Sequence, residues 1–172
     1  MGREDNDYQV ILRYDTTDWS QYEKPLNQSA MHKSGPEKPE SKYFVYTGNT
    51  CFGIQNLEYD PYTDYMFAAV YQGSKDRFPN YPMFVIDMSR KAEVQMLKGI
   101  GCEGEVLNLA RVGECHENTG IHGYHFGYGS TGMISLGDGY FYFSHHKMSE
   151  VEGNSTTVKL YHYDLENGFS LV

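Results

Sequence analysis

At 172 residues the chain is long enough to bury roughly two-thirds of the surface its unfolded form exposes, so one domain with a true core is expected. Its 14 Lys and Arg stand against 23 Asp and Glu, a net charge of −9. Such a surface repels polyanions and excludes nucleic acid as the expected partner. With 16 Tyr, 9 Phe and 18 Gly beside a single Trp, the composition favours pleated strands joined by tight turns and excludes a helical bundle.

No apolar run approaches the roughly 20 residues that span a bilayer, so no membrane contact is expected. The opening Met1-Gly2-Arg3-Glu4-Asp5-Asn6-Asp7 has neither the cationic nor the apolar region of an export signal. Cys51, Cys102 and Cys115 are odd in number and too sparse for a disulfide scaffold. These features set the expectation of a soluble, cytoplasmic protein.

In chain order, Tyr8 to Asp15 alternates as a strand does. The pattern is then lost from Thr16 to Ser41. There Asp18 is placed to cap one helical turn through Lys24, and the Ser, Gly and Pro of residues 34–39 punctuate a long loop. A loop of this length inside a compact domain marks either function or mobility. Lys42 to Thr47 closes a first, partial sheet. A three-strand pattern follows: residues 53–57, a turn at 60–64, then 65–71 and 81–87. It recurs as 129–133, a turn at 137–139, then 140–146 and 157–164. Residues 106–110 and 169–172 fit outer fourth strands, and loops are expected at 72–80, 98–105, 111–125 and 147–155. Val10-Ile11-Leu12-Arg13-Tyr14-Asp15 matches Val158 to Asp164, as the third strand of an earlier copy would.

Repetition of this kind resembles the blades of a β-propeller, in which four antiparallel strands radiate from a channel. The expected class is therefore all-β, with repeated antiparallel sheets forming an incomplete propeller; a β-sandwich is the alternative. One domain spans 1–172, with a partial sheet and long loop in 1–47, a first full repeat in 48–110 and a second in 120–172. The resemblance implies that first strands line a channel and that the loops entering them form one face. It also implies that self-association or upstream blades complete the array.

On that face Asn49, Gln55, Asn56 and Glu58 from one copy and His122, His125, Ser130 and Thr131 from the next are the expected ligand-binding residues. The competing account is that channel-facing polar side chains satisfy backbone groups and water. Cys102, Cys115, His116, His122 and His125 form the densest reactive group, and His122-Gly123-Tyr124-His125 has a spacing that two metal-bound imidazoles can adopt. No Cys-x-x-Cys or helical His-Glu-x-x-His accompanies it, so neither a metal nor another cofactor is expected. His145 and His146 are successive strand residues and point to opposite faces.

Glu58 and Asp60 share a strand face about 7 Å apart, a spacing compatible with glycosidase chemistry, although Asp60-Pro61 is also an ordinary turn opening. Asp87 and Asp164 read as turn formers. Gly99-Ile100-Gly101-Cys102-Glu103-Gly104 lacks a βαβ setting, and the Gly-Ser-Thr-Gly of 129–132 is not a nucleophile elbow. Tyr62, Tyr124 and Tyr128, in turns and loops, are candidates for stacking on sugar rings. No catalytic constellation stands, so the expected function is non-catalytic binding of a small polar ligand, carbohydrate foremost. A share of a glycan-active hydrolase or lyase, and a protein-interaction scaffold, are the competing functions.

Overall fold

The computed structural model describes residues 6–25, 27–30, 35–48, 51–149, 151 and 153–172, and among these it contains strands and short 3-10 turns but no α-helix. The expected all-β class is what forms. Strands β1 (Tyr8–Arg13) and β2 (Ser41–Tyr46) pair antiparallel, and β7 (Glu103–Val106) and β6 (Glu93–Met96) complete a first sheet in the order β1-β2-β7-β6. The middle sheet is a meander of β3 (Ile54–Asp60), β4 (Tyr65–Val70) and β5 (Met83–Asp87). A third sheet follows as β10 (Met133–Ser135), β11 (Tyr140–Ser149), β12 (Gly153–Asp164) and β13 (Gly168–Leu171). A small ribbon of β8 (Glu114–His116) and β9 (Ile121–Gly123) docks on the start of β5 through the Met83–Tyr124 bridge.

The middle sheet has two apolar faces. Phe67, Ala69, Met83 and Val85 pack against Phe141, Phe143, Tyr161 and Tyr163 of the third sheet. Their neighbours Ala68, Val70, Phe84 and Ile86 pack toward Val45 of the first sheet. A strand dry on both sides has no polar positions to alternate with, which is why 67–70 and 83–86 are unbroken apolar runs. Full burial of each large side chain contributes about 1.5–3 kcal/mol. Edge-on ring pairs such as Phe67–Phe141, with centroids 5.0 Å apart, add geometry to that burial. The buried hydroxyls of Tyr124 and Tyr163 satisfy each other at 3.1 Å. Burial, reinforced by that bond, pushes the Tyr163 phenol far above its ordinary range.

Several boundaries differ from the sequence expectation. Residues 129–131 are bends, and the first strand of the second repeat begins only at Met133. The expected loop at 147–155 is instead mostly a long hairpin, in which His145 through Ser149 pair with Thr157 back to Gly153. Its polar residues can be extended because the backbone bonds of a two-stranded ribbon need no buried face. The expected loops at 98–105 and 111–125 contain β7 and the β8–β9 ribbon. The anticipated fourth strand at 106–110 does not form as one; Val106 ends β7 in the first sheet, and only Leu109 bridges Ile86 of the middle sheet. The hairpin of β6 and β7 instead joins β2 in parallel register, Phe44 beside Val106. Gly104 permits this, since a Cβ there would lie 2.8 Å from the Phe44 ring and 2.9 Å from Leu97. Asp18 does precede a 3-10 turn, Trp19–Tyr22, yet its side chain makes no capping bond. Asp87 and Asp164 behave as turn formers, accepting the backbone N–H of Ser89 at 3.1 Å and of Glu166 at 2.9 Å.

One buried ionic cluster joins the first sheet to the middle one. The carboxylate of Asp7, 2% exposed, accepts bonds from Lys75 Nζ at 2.7 Å and Arg77 Nη2 at 2.8 Å. Its carbonyl accepts the Gly48 N–H at 2.9 Å. Removing one member of such a cluster strands a buried charge, whereas apolar replacement of both is far milder. Asp7→Ala is accordingly expected to lose about 3–5 kcal/mol in urea unfolding, and the double variant Asp7→Leu/Lys75→Leu to recover most of that loss.

Candidate functional site

The first strands of the middle and third sheets, β3 and β10, run side by side, and their polar residues face one another. Asn56 Nδ2 donates to the Gly129 carbonyl at 2.6 Å. Glu58 Oε1 accepts the Ser135 N–H at 2.8 Å. Asp60, fully buried, accepts the Ser135 hydroxyl at 2.6 Å through one oxygen and the Thr63 hydroxyl at 2.7 Å through the other. Both carboxylates of the glycosidase-like pair are thus engaged by the neighbouring strand. Thr131 bonds the Ser144 hydroxyl at 2.7 Å, Ser130 is half-buried in the bend before β10, and exposed Gln55 donates to the Gly53 carbonyl at 2.9 Å. Asn49 lies outside the described residues. For Asn56 and Glu58 the satisfied-backbone account is the one realised. Asn56→Ala leaves the buried Gly129 carbonyl without its partner and is expected to cost about 1–3 kcal/mol in chemical denaturation.

The histidines are placed elsewhere. His122 on β9 opposes Cys115 on β8, and its buried Nδ1 has no partner among the described residues. His125 is exposed, meets the Tyr81 ring edge-on at 4.9 Å and lies 3.9 Å from Glu114. With His116 and Cys115 it lines a shallow polar depression of about 510 Å³ that none of the other expected ligand residues enters. Cys102 sits in the β6–β7 turn of the first sheet. Among the described residues no three His, Cys, Asp or Glu side chains converge to hold a cation. His145 and His146 do point to opposite faces. The former lies flat on Tyr128 with ring centroids 3.7 Å apart and bonds the Tyr161 hydroxyl at 3.0 Å.

Burial first, then the Lys159 charge, holds His145 below its ordinary pKa of 6.5. A base with a depressed folded-state pKa stabilises the fold above its unfolded value, and that contribution is lost as pH falls through 6.5 toward the folded value. NMR titration should therefore place His145 below 6.5, and His145→Phe should flatten the fall in stability over that acid window.

A different concavity lies at the opposite end of the sheets, where β1 ends. Asp15 accepts the Thr17 N–H and hydroxyl at 2.9 and 2.6 Å, closing a tight turn. The Thr17 hydroxyl, then its N–H, holds the Asp15 carboxyl below the usual carboxylate range. The 3-10 turn at Trp19–Tyr22 follows, held by Gln21 N–H to the Asp18 carbonyl at 3.1 Å. Where the chain returns to β2, the Glu40 N–H bonds the Arg13 carbonyl at 2.8 Å, and the two side chains pair at 3.2 Å. Between turn and return, Tyr14, Trp19 and Tyr22 line a cleft of about 510 Å³, with Ser20, Glu23 and Pro36. Asp15, Asp18, Gln21 and Lys38 surround an adjoining recess of about 210 Å³.

Compared with family models, curated proteins and solved structures, the chain has no match.

The aromatic cleft was not among the sequence-derived sites. Its signal was the only Trp of the chain, lying within a segment without periodicity. Of the three tyrosines singled out for stacking, Tyr62 and Tyr128 are exposed, whereas Tyr124 belongs to the core.

Proposed function

We propose that this chain is a non-catalytic binding module that holds a carbohydrate in the cleft of Tyr14, Trp19 and Tyr22, on a propeller-like stack of sheets. The observation that carries this reading is Trp19. A core built on Phe and Tyr has left its one Trp 50% exposed, facing a cleft in which Tyr14 is also exposed. Gathered with Tyr14 and Tyr22 in one concavity, this Trp makes the kind of contiguous apolar patch that marks a binding site. The C–H face of a sugar fits such rings, and its hydroxyls find donors and acceptors in Ser20, Gln21, Asp18 and Glu23. Catalysis is not part of the proposal, because Glu58 and Asp60 are committed to Ser135.

The stack supports the propeller-like reading over a sandwich. Three sheets succeed one another face to face, with strands β4 and β5 of the middle one covered on both sides, whereas a two-sheet sandwich has no such layer. Cys51, Cys102 and Cys115 are free thiols, which supports a reducing, cytoplasmic setting. Among the described residues no helix is long and apolar enough to cross a membrane.

The test uses the protein's own probe. Titration with neutral oligosaccharides of glucose, xylose, mannose and N-acetylglucosamine should shift Trp19 emission for at least one of them, with the sugar recovered intact. Trp19→Ala should abolish the binding heat while its unfolding free energy stays within about 0.5 kcal/mol of the parent, as for surface substitutions generally. Unchanged emission across the panel would overturn the reading, and recovery of cleaved sugar would replace it with a hydrolase or lyase.

A further inference from the structure

A second, larger concavity of about 640 Å³ lies between the end of β1 and the middle sheet, beside the aromatic cleft and sharing only Tyr14 with it. Its floor is apolar. Buried or half-buried Ile11, Tyr43, Met66, Met88 and Leu107 belong to the same packed cluster that joins the first and middle sheets, so the floor is part of the core. Beside exposed Leu12, Tyr14 and Leu57, its charged lining is Arg13, Arg90 and Lys91 with one carboxylate, Glu105. In a chain where acids outnumber bases 23 to 14, the cleft gathers three cations, two of them paired with Glu40 and Glu93 at its rim.

The positions of the cations follow from the turn after β5. Asp87 fixes Ser89 through its N–H at 3.1 Å, and Met88 N–H bonds the Asp64 carbonyl at 3.1 Å in the β3–β4 turn. Arg90 and Lys91 therefore extend from an anchored backbone. Arg13 and Arg90 are paired with Glu40 and Glu93, but all four side chains are about half exposed or more. Exposed pairs of this kind are weak, so an entering anion can compete for either guanidinium. Lys91 makes no ion pair among the described residues.

We infer that this cleft binds an amphipathic carboxylate, an acyl or aryl acid whose apolar body covers the Ile11–Met66–Met88 floor and whose carboxylate meets Arg13, Arg90 and Lys91. A free sugar would set hydroxyls against the Ile11, Met66 and Met88 side chains, which cannot bond them, and a neutral lipid would leave the cations unanswered. Two methionines in the floor let it adapt to differing apolar shapes.

Isothermal titration of the intact chain with decanoate, below its micelle concentration, tests the assignment against decyltrimethylammonium, the same tail with opposite charge. Decanoate should bind about tenfold or more tightly than the cation and weaken as salt is raised. Arg90→Gln/Lys91→Gln should weaken decanoate by about tenfold or more with no change in melting temperature, because both side chains are exposed. Equal binding of the two amphiphiles, or a double variant that binds decanoate as the parent does, would overturn the site. Trp19→Ala should retain decanoate binding, so the failure of the carbohydrate reading leaves this one standing; loss of decanoate in Trp19→Ala would overturn it.

Discussion

The rest of the molecule is arranged around two strands that have no face to give to water. Strands β4 and β5 present apolar side chains in both directions, so the middle sheet is stable only when covered twice. Apolar burial supplies the force but little direction. Direction comes from buried carboxylates, one at each seam. Asp7 ties the first sheet to the loop that carries Lys75 and Arg77, and Asp60 ties the middle sheet to Ser135 of the third. Each is an acid whose removal from water is tolerable only with full hydrogen bonding, so each admits only one relative placement of its neighbours.

That division of labour explains which parts of the fold were legible in the sequence. The β3–β4–β5 meander and the inner half of the β11–β12 hairpin were visible because burial imposes a pattern on them and aspartates mark their turns. Strand β6 was invisible: Glu93 to Met96 is exposed throughout, so no periodicity was imposed on it. Strand β7 was hidden by Gly104, which reads as a loop residue but serves as the place where Phe44 and Leu97 close over bare backbone. The parallel pairing of β7 with β2 joins segments about 60 residues apart and has no local signature at all.

The candidate sites followed the same logic with the opposite result. Polar residues on the first strands are met by backbone and side chains of the adjacent sheet. The concavities with apolar and aromatic linings lie instead where β1 and β5 end, at the other pole from His125 and Glu114. The aromatic cleft is made within the long connection itself, Tyr14 through Pro36, whereas the larger one needs the stacking to bring Ile11 and Arg13 beside Met88 and Lys91. The flag on the long connection was legible in its length, while its chemistry rested on a lone Trp that carried no spacing to read.

The route of the chain also divides the molecule. The third sheet is one uninterrupted stretch, β10 through β13, each strand paired with the next in sequence. The first sheet is not. Its β1 and β2 are made before the middle sheet, and its β6 and β7 only after the chain has passed through β3, β4 and β5 and come back. The first two sheets are thereby interleaved along the chain, whereas the third is contiguous in sequence and is held to them by the shared core and the Asp60–Ser135 bond. Both clefts lie on the interleaved pair, so the path of the chain sets them apart from the contiguous third sheet.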